Sequence, residues 1–217
     1  MALAFKQLVG PINTTSPGTS GSFTPVAGDI IAVVGFNGST GTGTFADTAT
    51  QGTLAANGTI GNYNDGFGDT WSLWTGALPA AVPTTVTITS AGGVQGLIID
   101  YSGAAPLAQA SITETVGSGG TFAGTPVTVA VGSLLVVFVA DIDTTSTITA
   151  ETGSPTLRGS GTGVFGGAYW VYEYAGTGSS FTPSFSNVAA DHFVVLQFSL
   201  APGGTVITPA LMGQVLT

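Results

Sequence analysis

Apolar and polar positions alternate along much of this chain, in short runs broken by glycine-rich turns, with no long stripe of helical period. A period of two marks a strand with one buried face. Thr85-Val86-Thr87-Ile88-Thr89 shows it cleanly, with Val86 and Ile88 on one side and three threonines on the other. The runs 30–36, 134–139 and 194–198 are nearly continuous in apolar residues, which predicts central strands buried on both faces. The pattern predicts strands at 20–25, 29–36, 43–48, 70–75, 84–90, 94–101, 109–115, 125–130, 133–140, 146–151, 168–174, 180–186 and 192–200. Turn clusters separate them, among them Asn37-Gly38-Ser39, Gly92-Gly93, the stretch 117–120, Gly159-Ser160-Gly161 and Gly176-Thr177-Gly178. Many short strands with such turns mean a sandwich or barrel.

The pattern also repeats. Gly28-Asp29-Ile30-Ile31 returns as Gly132-Ser133-Leu134-Leu135, and Thr70-Trp71-Ser72-Leu73-Trp74 as Ala168-Tyr169-Trp170-Val171-Tyr172. The segment 85–90 is echoed by 181–186, and Leu97-Ile98-Ile99-Asp100-Tyr101 by Val195-Leu196-Gln197-Phe198-Ser199. The order is the same in both halves, which predicts one domain over 20–202 built from pseudo-repeats 20–103 and 121–201. Three segments fall outside the repeat: an N-terminal arm 1–19, a Gly/Asn insertion 50–68 and a C-terminal arm 203–217.

The succession Gly28-Asp29-Ile30-Ile31, Thr70-Trp71, Thr85-Val86-Thr87 and Asp100-Tyr101-Ser102-Gly103 resembles a β-sandwich module of phage structural proteins and bacterial surface proteins. Gly132-Ser133-Leu134-Leu135, Ala168-Tyr169 and Phe198-Ser199 continue the likeness in the second half, and Asp100 stands where the module has Glu. The resemblance implies an all-β, two-sheet antiparallel sandwich of jelly-roll type. It brings no catalytic residues with it.

Charge narrows the partners. Charged residues make up 6% of the 217 positions, against about 25% in ordinary domains. The only cationic side chains besides His192 are Lys6 and Arg158, and the net charge is −9. That argues against nucleic acid and against an anionic membrane surface. The absence of cysteine removes disulfides, thiolate metal sites and cysteine nucleophiles. The segment 1–7 lacks the pattern of a secretory signal, and the longest apolar runs are too short to span a bilayer as a helix. A surface of Thr, Ser, Asn and Gly suits a particle coat or a fibre, and the expected location is the surface of a phage particle.

Candidate chemistry is sparse. A Ser-His-Asp triad would need His192, and no Gly-x-Ser-x-Gly elbow is present. Asp100, Glu114, Asp141, Asp143, Glu151 and Glu173 show no spacing of a glycosidase pair. Asn62, Asn64, Asp65 and Asp69 gather oxygens near a glycine turn, a weak calcium candidate that lacks the opening Asp and closing Glu of an EF-hand. Trp74 and Tyr172 would form a glycan-binding platform if exposed, while Glu173 is expected to face water and Trp71 the core. The expectation is a non-enzymatic virion protein without cofactor, of the capsid decoration or cement kind. It would assemble as a homo-oligomer, a trimer for instance, and with the major capsid or another virion protein. Its partner-binding residues would be Leu3, Phe5 and Leu8 at one end and Val206, Ile207, Leu211, Met212, Val215 and Leu216 at the other. The alternatives are a host- or glycan-binding module of a tail fibre or adhesin, and a subunit of an extracellular filament.

Overall fold

The computed structural model describes residues 2–37, 46–49, 52–53, 60–64, 70–89, 93–105, 109–141, 147–165 and 167–203. Their regular elements are all strands. The first half carries β1 (Ala4–Thr15), β2 (Gly18–Thr19), β3 (Asp29–Asn37), β4 (Ala46–Ala49), β5 (Gly52–Thr53), β6 (Ile60–Asn64), β7 (Thr70–Leu78), β8 (Val86–Thr89) and β9 (Gly93–Ser102). The second carries β10 (Gln109–Ala123), β11 (Val127–Thr128), β12 (Leu134–Asp141), β13 (Thr149–Ala150), β14 (Thr156–Val164), β15 (Gly167–Ala175), β16 (Ser180–Phe181) and β17 (Ser184–Leu200).

The chain is an all-β antiparallel sandwich. One main sheet runs β1-β9-β3-β7-β6; the other runs β10-β17-β12-β15-β14, with β13 also pairing β17. The two pack face to face over one core. Ile30, Ala32, Val34 and Phe36 of β3 meet Val136, Phe138 and Ala140 of β12 there, with Trp71, Leu73, Leu196 and Phe198. Phe165 plugs the centre: its ring stacks on Trp71 at 5.7 Å and meets Phe138 edge-on at 5.2 Å. It holds the left-handed backbone (φ 57°) that a bulky residue rarely adopts.

The opposite faces are covered as well. Ile31, Val33, Trp74 and Ile98 point away from the central core and pack on Val86 and Ile88 of the smaller sheet β2-β8-β4-β5. In the second half Leu135, Val137, Tyr172 and Val195 do the same against the segment around β11-β16. Two smaller sheets, β2-β8-β4-β5 and β11-β16, thus accompany the two main sheets of the sandwich. Double burial explains why the central strands read as unbroken apolar runs. β8 keeps one wet face, as its alternation predicts, and Thr19 and Thr87 hydroxyls pair on it at 3.0 Å.

Register shows how the halves correspond. Phe36 faces Trp71 across β3 and β7, and Ala140 faces Tyr169 across β12 and β15, so Trp71 matches Tyr169 and Trp74 matches Tyr172. Gly28 and Gly132 open equivalent turns at φ 87° and 84°. The last match slips by one. Ile30 pairs with Tyr101 and Leu134 with Leu200, which makes Leu196-Gln197-Phe198-Ser199-Leu200 the counterpart of 97–101. Exchanging the halves also maps the Ala104–Pro202 bridge onto the Gly203 N–H bond to Gly103 O. Likewise β1 touches β14 where β10 touches β6.

Three further expectations are corrected. The N-terminal arm is in fact strand β1, paired with β9 along Ala4–Thr15 and bulged at Gly10, whose positive φ leaves Pro11 outside the ladder. The glycine clusters at 117–120 and 159–161 lie inside β10 and β14 rather than in turns. The stretch 50–68 is not a bare insertion, because β6 closes the edge of the first sheet.

Because one core serves both halves, Phe138→Ala is expected to cost about 3–5 kcal/mol. Unfolding should stay a single transition, with tryptophan fluorescence and far-UV dichroism coincident in a denaturant titration.

Candidate functional site

The buried charge sits where the halves meet. Glu173 of β15 points into the central core with 8% exposure, which corrects the expectation that it faces water. Arg158 of β14 binds it through two donors, Nε to Oε2 at 3.1 Å and Nη2 to Oε1. The Tyr101 hydroxyl, from the first half, donates to Oε2 at 2.9 Å. Burial, then the Glu173 charge, pushes that hydroxyl far above the usual phenol range. The Arg158 guanidinium covers the Phe5 ring at 5.1 Å, and Phe5 meets Tyr101 edge-on at 5.7 Å. Beside them Leu8 packs over Gly159, where any Cβ would collide with its Cδ1. Gln95 Oε1 of β9 accepts the Phe165 N–H, a further link between the halves.

A second polar group lies in the first half. Asp29 and Asp100 are both buried, and Gln7 Nε2 of β1 donates to Asp100 Oδ2 at 3.0 Å. In the second half Gln197 clamps the chain at Thr125, accepting its N–H at 3.0 Å and donating to its carbonyl at 2.8 Å.

The expected site residues fall as follows. Trp74 and Tyr172 are 5% and 6% exposed and belong to the two outer cores, so the expected glycan platform is corrected: neither ring offers a face for stacking. The Tyr172 hydroxyl donates to Ile148 O at 3.2 Å, and burial pushes its pKa up to about 12. Leu3, Phe5 and Leu8, expected to bind a partner, are half-buried against the chain's own central core. Asn62 and Asn64 lie in β6, while Asp65 and Asp69 lie outside the described residues. Among the described residues no three of His, Cys, Asp or Glu gather to hold a metal. Val206, Ile207, Leu211, Met212, Val215 and Leu216 also lie outside the described residues.

Open clefts also lie among the described residues. One of about 420 Å³ is lined by Thr128, Ala130, Ser133 and Ser199, and one of about 290 Å³ by Thr152, Tyr174, Phe181 and Thr182. Neither lining carries a charge. The Arg158–Glu173–Tyr101 cluster escaped the sequence reading, although the one arginine of a charge-poor chain and a lone Glu within an aromatic strand were its signals.

No family model, curated protein or solved structure matches this chain.

Arg158→Met strands the Glu173 carboxylate and should cost about 2 kcal/mol, between the values for exposed and fully buried pairs, since Arg158 is 29% exposed. Adding Glu173→Gln removes the charge but keeps an acceptor for Tyr101, and should recover most of that loss in urea titrations.

Proposed function

We propose that this chain is a non-enzymatic structural protein of a phage particle, a decoration or cement protein with a jelly-roll-like sandwich. The reading rests chiefly on where the side chains with binding or catalytic power go. The large aromatics are spent in the cores, and the only arginine is spent on Glu173. The outer strands present Thr, Ser and Gly, a surface that meets partners by shape and backbone rather than by charge. The resemblance of the Gly28, Trp71, Asp100 and Gly132 segments to phage structural modules points the same way.

With Leu3, Phe5 and Leu8 committed to the chain's own core, the partner contacts fall to the segment after Gly203. Val206, Ile207, Leu211, Met212, Val215 and Leu216 carry no charge to desolvate. At about 25 cal/mol per Å² their burial on a neighbour outweighs ordering costs by several kcal/mol, and repetition over a shell multiplies the effect. The partners are other copies of the chain and the major shell protein.

Deleting 204–217 keeps the Gly203–Gly103 hydrogen bond and should leave the melting temperature unchanged. The truncated chain should no longer co-sediment with shells. Retention at the full-length copy number, weighed by mass measurement of intact particles, would sink the proposal.

A further inference from the structure

The halves differ at one buried place where the fold tolerates an alternative. Register makes Asp100 the counterpart of Ser199, and Asp29, next to Gly28, the counterpart of Ser133, next to Gly132. The second half builds the same strand pairing with two hydroxyls. The first half instead buries two carboxyls, Asp29 at 1% and Asp100 at 0% exposure. The backbone fold does not demand them.

Their hydrogen bonding is incomplete in a specific way. Asp29 Oδ2 accepts the Val26 N–H at 2.6 Å, and Asp100 Oδ2 accepts from Gln7. Asp100 Oδ1 is sealed from water without a donor, and the ladder that pairs Ile31 with Asp100 sets Asp29 one diagonal step away on β3. Two ionised carboxylates at that range repel. A proton on Asp100 removes one of the charges. The groups acting on Asp100 are Asp29 from β3, Gln7 from β1 and the exposed Lys6 beside it, the only cation among them. No third carboxylate or histidine joins the pair to make a metal site among the described residues.

We propose that the buried Asp100 carboxyl carries a proton in the folded chain, and that this proton latches β1 onto the first main sheet. Gln7 ties the pair to β1, an edge strand that pairs on one side only and opens at a β-bulge between Phe5 and Gln7. When the proton leaves, two buried negative charges remain under that strand. Water reaches them most easily by lifting β1, which bares the edge of β9. Burial, and then the Asp29 charge, raises Asp100 to about 6, against the pull of Gln7 and Lys6. A raised folded-state pKa stabilises fully below the ordinary carboxyl range, and the contribution is lost as pH rises through about 6.

Native-state hydrogen exchange on the full chain tests this, reading the Phe5–Val9 amides after correction for intrinsic rates. Between about pH 4 and pH 6 their opening constant should rise about tenfold per pH unit and level off above pH 6, while β12 amides hold steady. Asp100→Asn keeps an acceptor for Gln7 and cannot ionise, so its profile should be flat. The double variant Asp29→Ser, Asp100→Ser copies the second half and should also be flat, which covers a failure of the first variant to fold. Equal β1 protection at pH 5 and 8 in the unaltered chain would overturn the latch, as would an unchanged slope in both variants. Recovery of protection at pH 8 on adding calcium chloride would overturn it too, by making the pair a cation site.

Discussion

Double burial of the two main sheets is the constraint from which the rest of the structure follows. A strand covered on one face needs an apolar residue at every second position. A strand covered on both needs one at nearly every position, and it leaves no side for charge. β3, β12 and the end of β17 obey this. The chain accordingly keeps its charges few, and two of the polar side chains that enter the interior bring specific partners with them. Glu173 enters with Arg158 and Tyr101; Gln197 enters where the first half has Ile98 and spends its amide on the Thr125 backbone. The indole N–H of Trp71 and the hydroxyl of Tyr174 are buried without a hydrogen-bond partner, a cost that aromatic packing offsets.

The same constraint decided what the sequence revealed. Central strands were legible because an unbroken apolar run of six or so residues, in a chain without helical periodicity, fits a strand covered on both faces and little else. Their pairing across the halves was less so. A slip of one residue normally moves polar side chains into the core and exposes itself. In β9 and β17 both faces are apolar, so the slip between Leu97 and Val195 cost the pattern nothing, and only the ladder through Tyr101 and Leu200 corrects it. Edge strands failed for the opposite reason. β1, β6 and β14 carry Pro11, Asn62, Gly159 and Gly161, which read as loop, because an edge pairs on one side and tolerates bulges and glycine.

The buried polar clusters were beyond pattern reading. Glu173 stands between Tyr172 and Tyr174, and nothing local says which face is wet when both are dry. Its partner Arg158 lies in a stretch that looked like a turn, and Tyr101 comes from the other half. Asp29 and Asp100 are likewise far apart in sequence and meet only because β3 and β9 are neighbours. The burial of Trp74 and Tyr172 was open in the sequence because the small outer sheets that cover them are built from short strands with weak signals.

Gly203 lies three residues beyond β17, the longest of the described strands. β17 is flanked by β10 on one side and β12 on the other, antiparallel to both. Tension applied from that end therefore runs along the strand axis and loads two ladders of hydrogen bonds in shear, all at once, rather than peeling them one at a time. A pull applied at Gly203 is received by a strand paired on both sides, so the sandwich resists as a block under load where an edge strand would unzip.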